Sequence, residues 1–207
     1  MSAQGEAAHL PLQHETSPEL GLPKDNRILG LWIFLAGECA FFASLIGGYL
    51  GLHLGVAHGP TGAQVFDLPL TTVATLVLLS SSLTVVLGVA AMQRRDVRAM
   101  QIWLWLTALL GIFFLEFQGF EFYTFYHEGL TLQTSAFGSA FFTLTGFHGL
   151  HVAFGVFWIL LLLFQSLKHG INEDRTTKVF VMSLYWHFVD VVWVVIFTLV
   201  YLAGKVG

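Results

Sequence analysis

Charge is scarce in this sequence. Only 11% of its 207 residues are Asp, Glu, Lys or Arg, where a soluble domain carries roughly 25%. Hydrophobic residues make up 56%, a balance that argues against a soluble domain and for a membrane-embedded one. Cysteine is almost absent. The single Cys39 excludes an intramolecular disulfide and any cysteine-based zinc or iron–sulfur site. Its apolar neighbours predict a small buried thiol rather than a redox group. No excess of positive charge exists either. The net charge of −4 gives no case for nucleic-acid binding. Internal repeats are missing, as is the apolar–polar alternation of a membrane β-barrel. Residues 1–27 are polar, contain Pro11, Pro18 and Pro23, and lack the apolar core and small-residue cleavage site of a signal peptide. They are read as a flexible tail.

What is present is long apolar runs. A membrane helix needs about 20 mostly apolar residues, and five segments qualify: about 28–54, 69–92, 100–124, 136–165 and 178–203. The fold class is therefore an all-α integral membrane five-helix bundle, with residues 28–207 as its membrane domain. The basic residues orient it. Lys24, Arg27, Arg94, Arg95, Arg98, Lys168, Arg175 and Lys178 fall on one side of a five-span chain, and Lys205 alone on the other. The positive-inside rule places the N-terminus in the cytoplasm and the C-terminus outside.

Along the first span, Cys39, Ala43, Gly47, Gly51 and Gly55 recur every four residues. Small residues at that spacing let another helix backbone approach closely. The alternative is a groove that receives a lipid tail.

Ionisable residues inside the membrane are expensive and normally face the protein interior. At 1.5 Å per residue, Glu38 lies roughly 15 Å into the first span, and His187 and Asp190 roughly 14–18 Å into the fifth. His148 and His151, in the run "TGFHGLHVAFG", fall at similar depth in the fourth span. Glu121 comes late in the third. His148 and His151, His187 and Asp190, and Gln118 and Glu121 are each i,i+3 neighbours. Three helices thus offer a polar pair to the bundle interior. Helix bundles do hold metals through facing carboxylates and histidines, but the Glu-x-x-His pattern of di-iron sites is missing. Haem ligation by two histidines remains open on composition, as do an interhelical hydrogen-bond network and a proton pathway.

At these residues the chain resembles a known family. "TGFHGLHVAFG" followed by "SLYWHFVDVVWVVIFTLVYLAG" is similar to the C-terminal half of subunit III of the haem–copper respiratory oxidases. "LWIFLAGECAFFASL" resembles the family segment that holds a buried glutamate before paired aromatics, which maps to Glu38. "QGFEF" resembles the family's Gln-x-x-Glu pattern, mapping Gln118 and Glu121. "GSAFFTLTGFHGLH" extends the likeness through the fourth span, so that it covers roughly residues 27–207.

The resemblance implies an all-helical accessory subunit in a bacterial plasma membrane, with no haem or copper of its own. Those centres belong to subunits I and II, which become the expected partners, with a small subunit IV and membrane phospholipids. It implies a role in sustaining proton uptake into subunit I and in protecting the active site from turnover inactivation, with no catalytic residue on this chain. Glu38 matches the family carboxylate that reacts with carbodiimides. Such reactivity reports a neutral, buried acid and does not by itself place Glu38 on a proton route. The segments "QVFDLPL" and "SSSLTVVLGVAAMQ" look more like bacterial cytochrome c oxidases than quinol oxidases, which are the alternative. An independent transporter or channel is the alternative of a different class; neither an inverted repeat nor discontinuous helices are visible for it.

Two departures stand out. Longer family members have seven spans with a lipid-filled cleft, and five spans here put that cleft in doubt. Glu116 has no place in the family pattern.

Overall fold

The computed structural model describes residues 26–55, 68–127, 136–169 and 173–202. They form α1 (Asn26–Gly55), α2 (Leu68–Gln93), α3 (Val97–His127), α4 (Ala136–His169) and α5 (Glu173–Ile196), the last continued by a π-helix, Phe197–Leu202. All five helices are long and apolar enough to cross a membrane. Among the described residues there is no strand. The expected N-terminal tail lies almost wholly outside the described residues. The helices overrun the apolar runs: α3 starts three residues earlier and ends three later than residues 100–124. Polar and aromatic ends still satisfy i to i+4 backbone bonds at the membrane–water interface, so the helix outlasts its hydrophobic stretch.

α5 is the hub. Met182, Trp186, Val189, Trp193 and Ile196, spaced by three or four residues, are all buried. α2 and α3 form the most extensive antiparallel pair, α4 packs on α3 and α5, and α1 lies at the edge against α4 and α5. α1 contributes Leu31, Leu35, Phe42 and Tyr49 to the core and leaves most of its surface outward.

Glycines allow the closest approach around Trp186. A Cβ on Gly111 of α3 would come within 2.7 Å of the indole, and one on Gly155 of α4 within 2.8 Å. Two small residues on facing helices therefore form a slot for the largest side chain of the hub. Across the slot the indole N–H donates to Ser81 Oγ of α2 at 2.9 Å. One tryptophan so joins α2, α3, α4 and α5.

The α2–α3 turn is fixed by its backbone. Arg95 N–H donates to Met92 C=O and Asp96 N–H to Ala91 C=O, the paired bonds of a Schellman ending. Arg95 takes the left-handed position, φ 59°, where glycine is usual. Asp96 then caps α3, its Oδ1 accepting from Ala99 N–H at 3.0 Å.

Candidate functional site

The polar residues singled out in the sequence are spread over four helices, and the structure divides them into separate contacts. Glu38 and His151 meet between α1 and α4, with Glu38 Oε2 3.1 Å from His151 Nε2. The other ring nitrogen, Nδ1, is 2.7 Å from the Phe147 carbonyl of the same helix. A carbonyl only accepts, so Nδ1 carries a hydrogen. Nε2 then either accepts from a protonated Glu38 or donates to its carboxylate. In both forms the pair shares one proton and has no net charge. That neutrality makes a carboxyl tolerable at this depth. Phe42 covers the imidazole edge-on at 5.0 Å. The Tyr185 hydroxyl donates to His151 C=O at 3.1 Å, which brings α5 into the same contact. Glu38, expected as a buried carboxylate, keeps about 20% of its side chain exposed at the bundle edge.

His148 is fully buried. Its Nε2–H donates to Val189 C=O of α5 at 3.3 Å, and its ring lies between Trp193 and Phe114. Nδ1 has no partner among the described residues. His187 Nδ1 is 2.7 Å from Ser82 Oγ. Asp190 is buried nearby, close to Ser82, and neither of its oxygens has a hydrogen bond of good geometry.

Gln118 and Glu121 turn to different neighbours. The Gln118 amide donates to Thr145 C=O of α4, and a Cβ at Gly149 would collide with its Oε1 at 2.7 Å. The glycine between the two histidines is thus the seat of a glutamine from α3. Glu121 accepts from Thr71 of α2 at 3.0 Å and from Tyr201 of the π-helix at 2.8 Å. Between them, α2 and α3 leave a small half-open cavity bounded by Thr71, Phe114, Gln118, Glu121 and Trp193.

The expected single network of Gln118, Glu121, His148, His151, His187 and Asp190 is therefore replaced by separate struts. Among the described residues, these six do not hydrogen-bond to one another. Three residues advance an α-helix by about 300°, so i,i+3 neighbours diverge by some 60°. That angle is enough to send His148 toward α5 and His151 toward α1.

The small-residue stripe of α1 also lands differently. Cys39, Ala43, Gly47 and Gly51 face outward, and a Cβ at Gly47 or Gly51 would meet nothing within 4 Å. Gly55 closes the helix. Among the described residues, Cys39, Ala43, Gly47 and Gly51 pack against no other helix, because α1 turns its large residues Leu31, Leu35, Phe42 and Tyr49 to the bundle.

Partners missed in the sequence are mainly on α2. Thr75 accepts from Trp193 Nε1 at 3.0 Å, Ser81 from Trp186, and Ser82 pairs with His187. These contacts keep one antiparallel register between α2 and α5. The signal was the polar run Ser80–Ser81–Ser82 inside an apolar span, opposite Trp186–His187. Among the described residues no three His, Cys, Asp or Glu side chains come together as a metal-sized group.

A family profile described as cytochrome c oxidase subunit III matches residues 25–205. The cytochrome c oxidase subunit 3 of Bacillus sp. (strain PS3) is 50% identical over 182 residues, 88% of each chain. That of Bacillus subtilis (strain 168) is 48% identical, covering 92% of this chain and 93% of the relative. The quinol oxidase subunit 3 of Bacillus subtilis (strain 168) is 43% identical over 87% of this chain and 88% of its own.

Proposed function

The chain belongs to the cytochrome c oxidase subunit III family, and from that premise we propose that it is the accessory third subunit of a proton-pumping cytochrome c oxidase. It is a multi-pass bacterial membrane protein whose partners are other oxidase subunits. Subunits I and II supply haem, copper and the electron-donor site; a small subunit IV and phospholipids complete its surroundings. This chain contributes no catalytic or redox centre. It supports proton uptake by subunit I and its endurance during turnover.

The observation that carries this reading is the family match along nearly the whole chain, with cytochrome c oxidase relatives at 48–50% identity and quinol oxidase relatives at 38–43% among those compared. The side-chain geometry is consistent with a supporting role. His148 holds a backbone carbonyl, His187 a serine and His151 a carboxyl on another helix. Each imidazole is occupied in joining helices, on three different lines of contact, and none converges with another on a common point.

Glu38 fits this reading as half of a proton-sharing pair that fixes α1 to α4. With about a fifth of its side chain exposed, it is open to a carbodiimide or to a lipid tail from the side of the bundle. Ala43, Gly47, Gly51 and Gly55 give α1 a surface on which a neighbouring helix or lipid tail can lie close. Cytoplasmic placement of the N-terminus follows from the charge bias.

Purification in mild detergent, with subunit identification and visible spectroscopy, tests the assignment. The chain is expected to co-purify with haem-bearing partners that oxidise reduced cytochrome c. Oxidation of quinol instead would move it to the quinol branch. Isolation of the chain alone, active in ion flux after reconstitution, would refute the subunit assignment.

A further inference from the structure

Glu116 lies on the outer face of α3, exposed, in line with Ile112, Phe113, Phe120 and Tyr123, all of them exposed as well. Among the described residues it has no hydrogen bond, ion pair or other electrostatic contact. Its depth makes this costly. Tyr123 and Tyr126 are 64% and 65% exposed near the C-terminal end of α3, the level at which tyrosines mark a membrane interface. Glu116 sits two to three turns deeper, about 10 Å below Tyr123 and about 15 Å below Tyr126. A glutamate side chain cannot span that distance to water or to a lipid headgroup amine. Hydrocarbon offers its carboxyl no partner, charged or neutral.

We infer that this face of α3 docks a transmembrane helix of another subunit of the same complex, and that the docked helix presents a basic side chain to Glu116. The inference rests on the subunit assignment above. Intramembrane charges pair with one another inside bundles. A charge that faces outward in one chain therefore marks the interior of a larger assembly. Gly119, almost one turn beyond Glu116, has nothing within 4 Å of a would-be Cβ, so a second backbone can approach closely there. Phe113, Phe120 and Tyr123 supply the large aromatic surface that anchors such contacts. Charge selects the partner: the face carries one acid and no base, so the complementary helix brings the cation.

The test uses the assembled oxidase with Glu116, E116Q, E116L or E116K in this subunit. The amount of subunit retained per haem is measured over a detergent series. Loss of the pair is expected to cut retention of E116Q and E116L by about tenfold at a fixed detergent concentration, and that of E116K further. Since Glu116 has no partner among the described residues, the helical content and unfolding midpoint of the isolated subunit are expected to stay unchanged. A second readout is labelling of Gly119→Cys by a lipid-soluble maleimide in a Cys39→Ser background. It is expected to be fast in the isolated subunit and slow in the complex.

If the face meets lipid, E116L is retained as well as or better than the native chain, and Gly119→Cys labels equally in both states. Either result overturns the inference. Native-like retention of E116Q overturns the basic partner. Native subunit retained alongside unaffected variants refutes the inference alone. A native chain that never co-purifies with haem-bearing subunits refutes the subunit assignment and the inference with it.

Discussion

Glu38 Oε2 and His151 Nε2 stand 3.1 Å apart across the α1–α4 boundary, between residues 113 positions apart in sequence. The contact joins an imidazole directly to a carboxyl across two helices of the bundle. Because His151 Nδ1 is committed to the Phe147 carbonyl, the pair has one proton to share. It ties the most peripheral helix to the bundle.

Replacing Glu38 by alanine leaves His151 Nε2 without its partner. The expected loss is about 1–2 kcal/mol, read as faster hydrogen exchange along α1 or earlier release of α1 in denaturing detergent. Glutamine keeps an N–H for Nε2, so E38Q is expected to retain most of the native protection. Equal effects of E38A and E38Q would mean that charge matters and the hydrogen bond does not.

Gly155→Ala and Gly111→Ala push a methyl group into the Trp186 indole. Each is expected to destabilise the bundle by about 1–3 kcal/mol. Trp186→Phe in the Gly155→Ala background should recover part of that loss. Gly47→Ala is the contrast: its methyl group meets nothing among the described residues, and unfolding of the isolated subunit should shift by less than about 0.5 kcal/mol.

Ser81→Ala strips the acceptor from a fully enclosed indole N–H. An unsatisfied buried donor costs about 1–3 kcal/mol. Trp186→Phe combined with Ser81→Ala should be less destabilising than the sum of the two single changes, as a double-mutant cycle in mixed micelles would show. Strict additivity would deny the contact its role.

The α2–α3 turn offers two changes of opposite sign. Asp96→Ala removes the cap of α3 and is expected to destabilise by about 1 kcal/mol. Arg95→Gly relieves a left-handed residue, and a gain of up to about 1 kcal/mol is expected. Unfolding midpoints of the two variants moving in the same direction would contradict the turn geometry.

The five spans were legible because their signal is additive. Some twenty apolar residues in a row outweigh any single exception, and the intervening polar breaks are short and clear. The site was legible only in part. Depth follows from counting residues, and so the polar residues were located along the bilayer normal. Direction around each helix was harder. His148 and His151 looked like one face, yet 60° separates a buried strut to Val189 from a half-buried pair with Glu38. Cys39, Ala43, Gly47 and Gly51 do share a face, but periodicity cannot name the neighbour, and among the described residues no other helix packs on it. Ser81, Ser82 and Thr75 passed unnoticed because a hydroxyl in an apolar helix commonly bonds its own backbone, as Ser80 does with Leu76. Their real partners, Trp186, His187 and Trp193, lie more than a hundred residues away. Nothing in the sequence marks Gly149 as the seat of Gln118.

The central claim is that the polar residues of this bundle join helices and that the redox chemistry resides in neighbouring subunits. The most direct measurement is the haem and copper content of the purified complex before and after selective removal of this subunit. The account predicts unchanged haem and copper per catalytic subunit, with initial turnover retained and faster decay of activity during turnover. Departure of a haem or a metal ion in step with this polypeptide would contradict it.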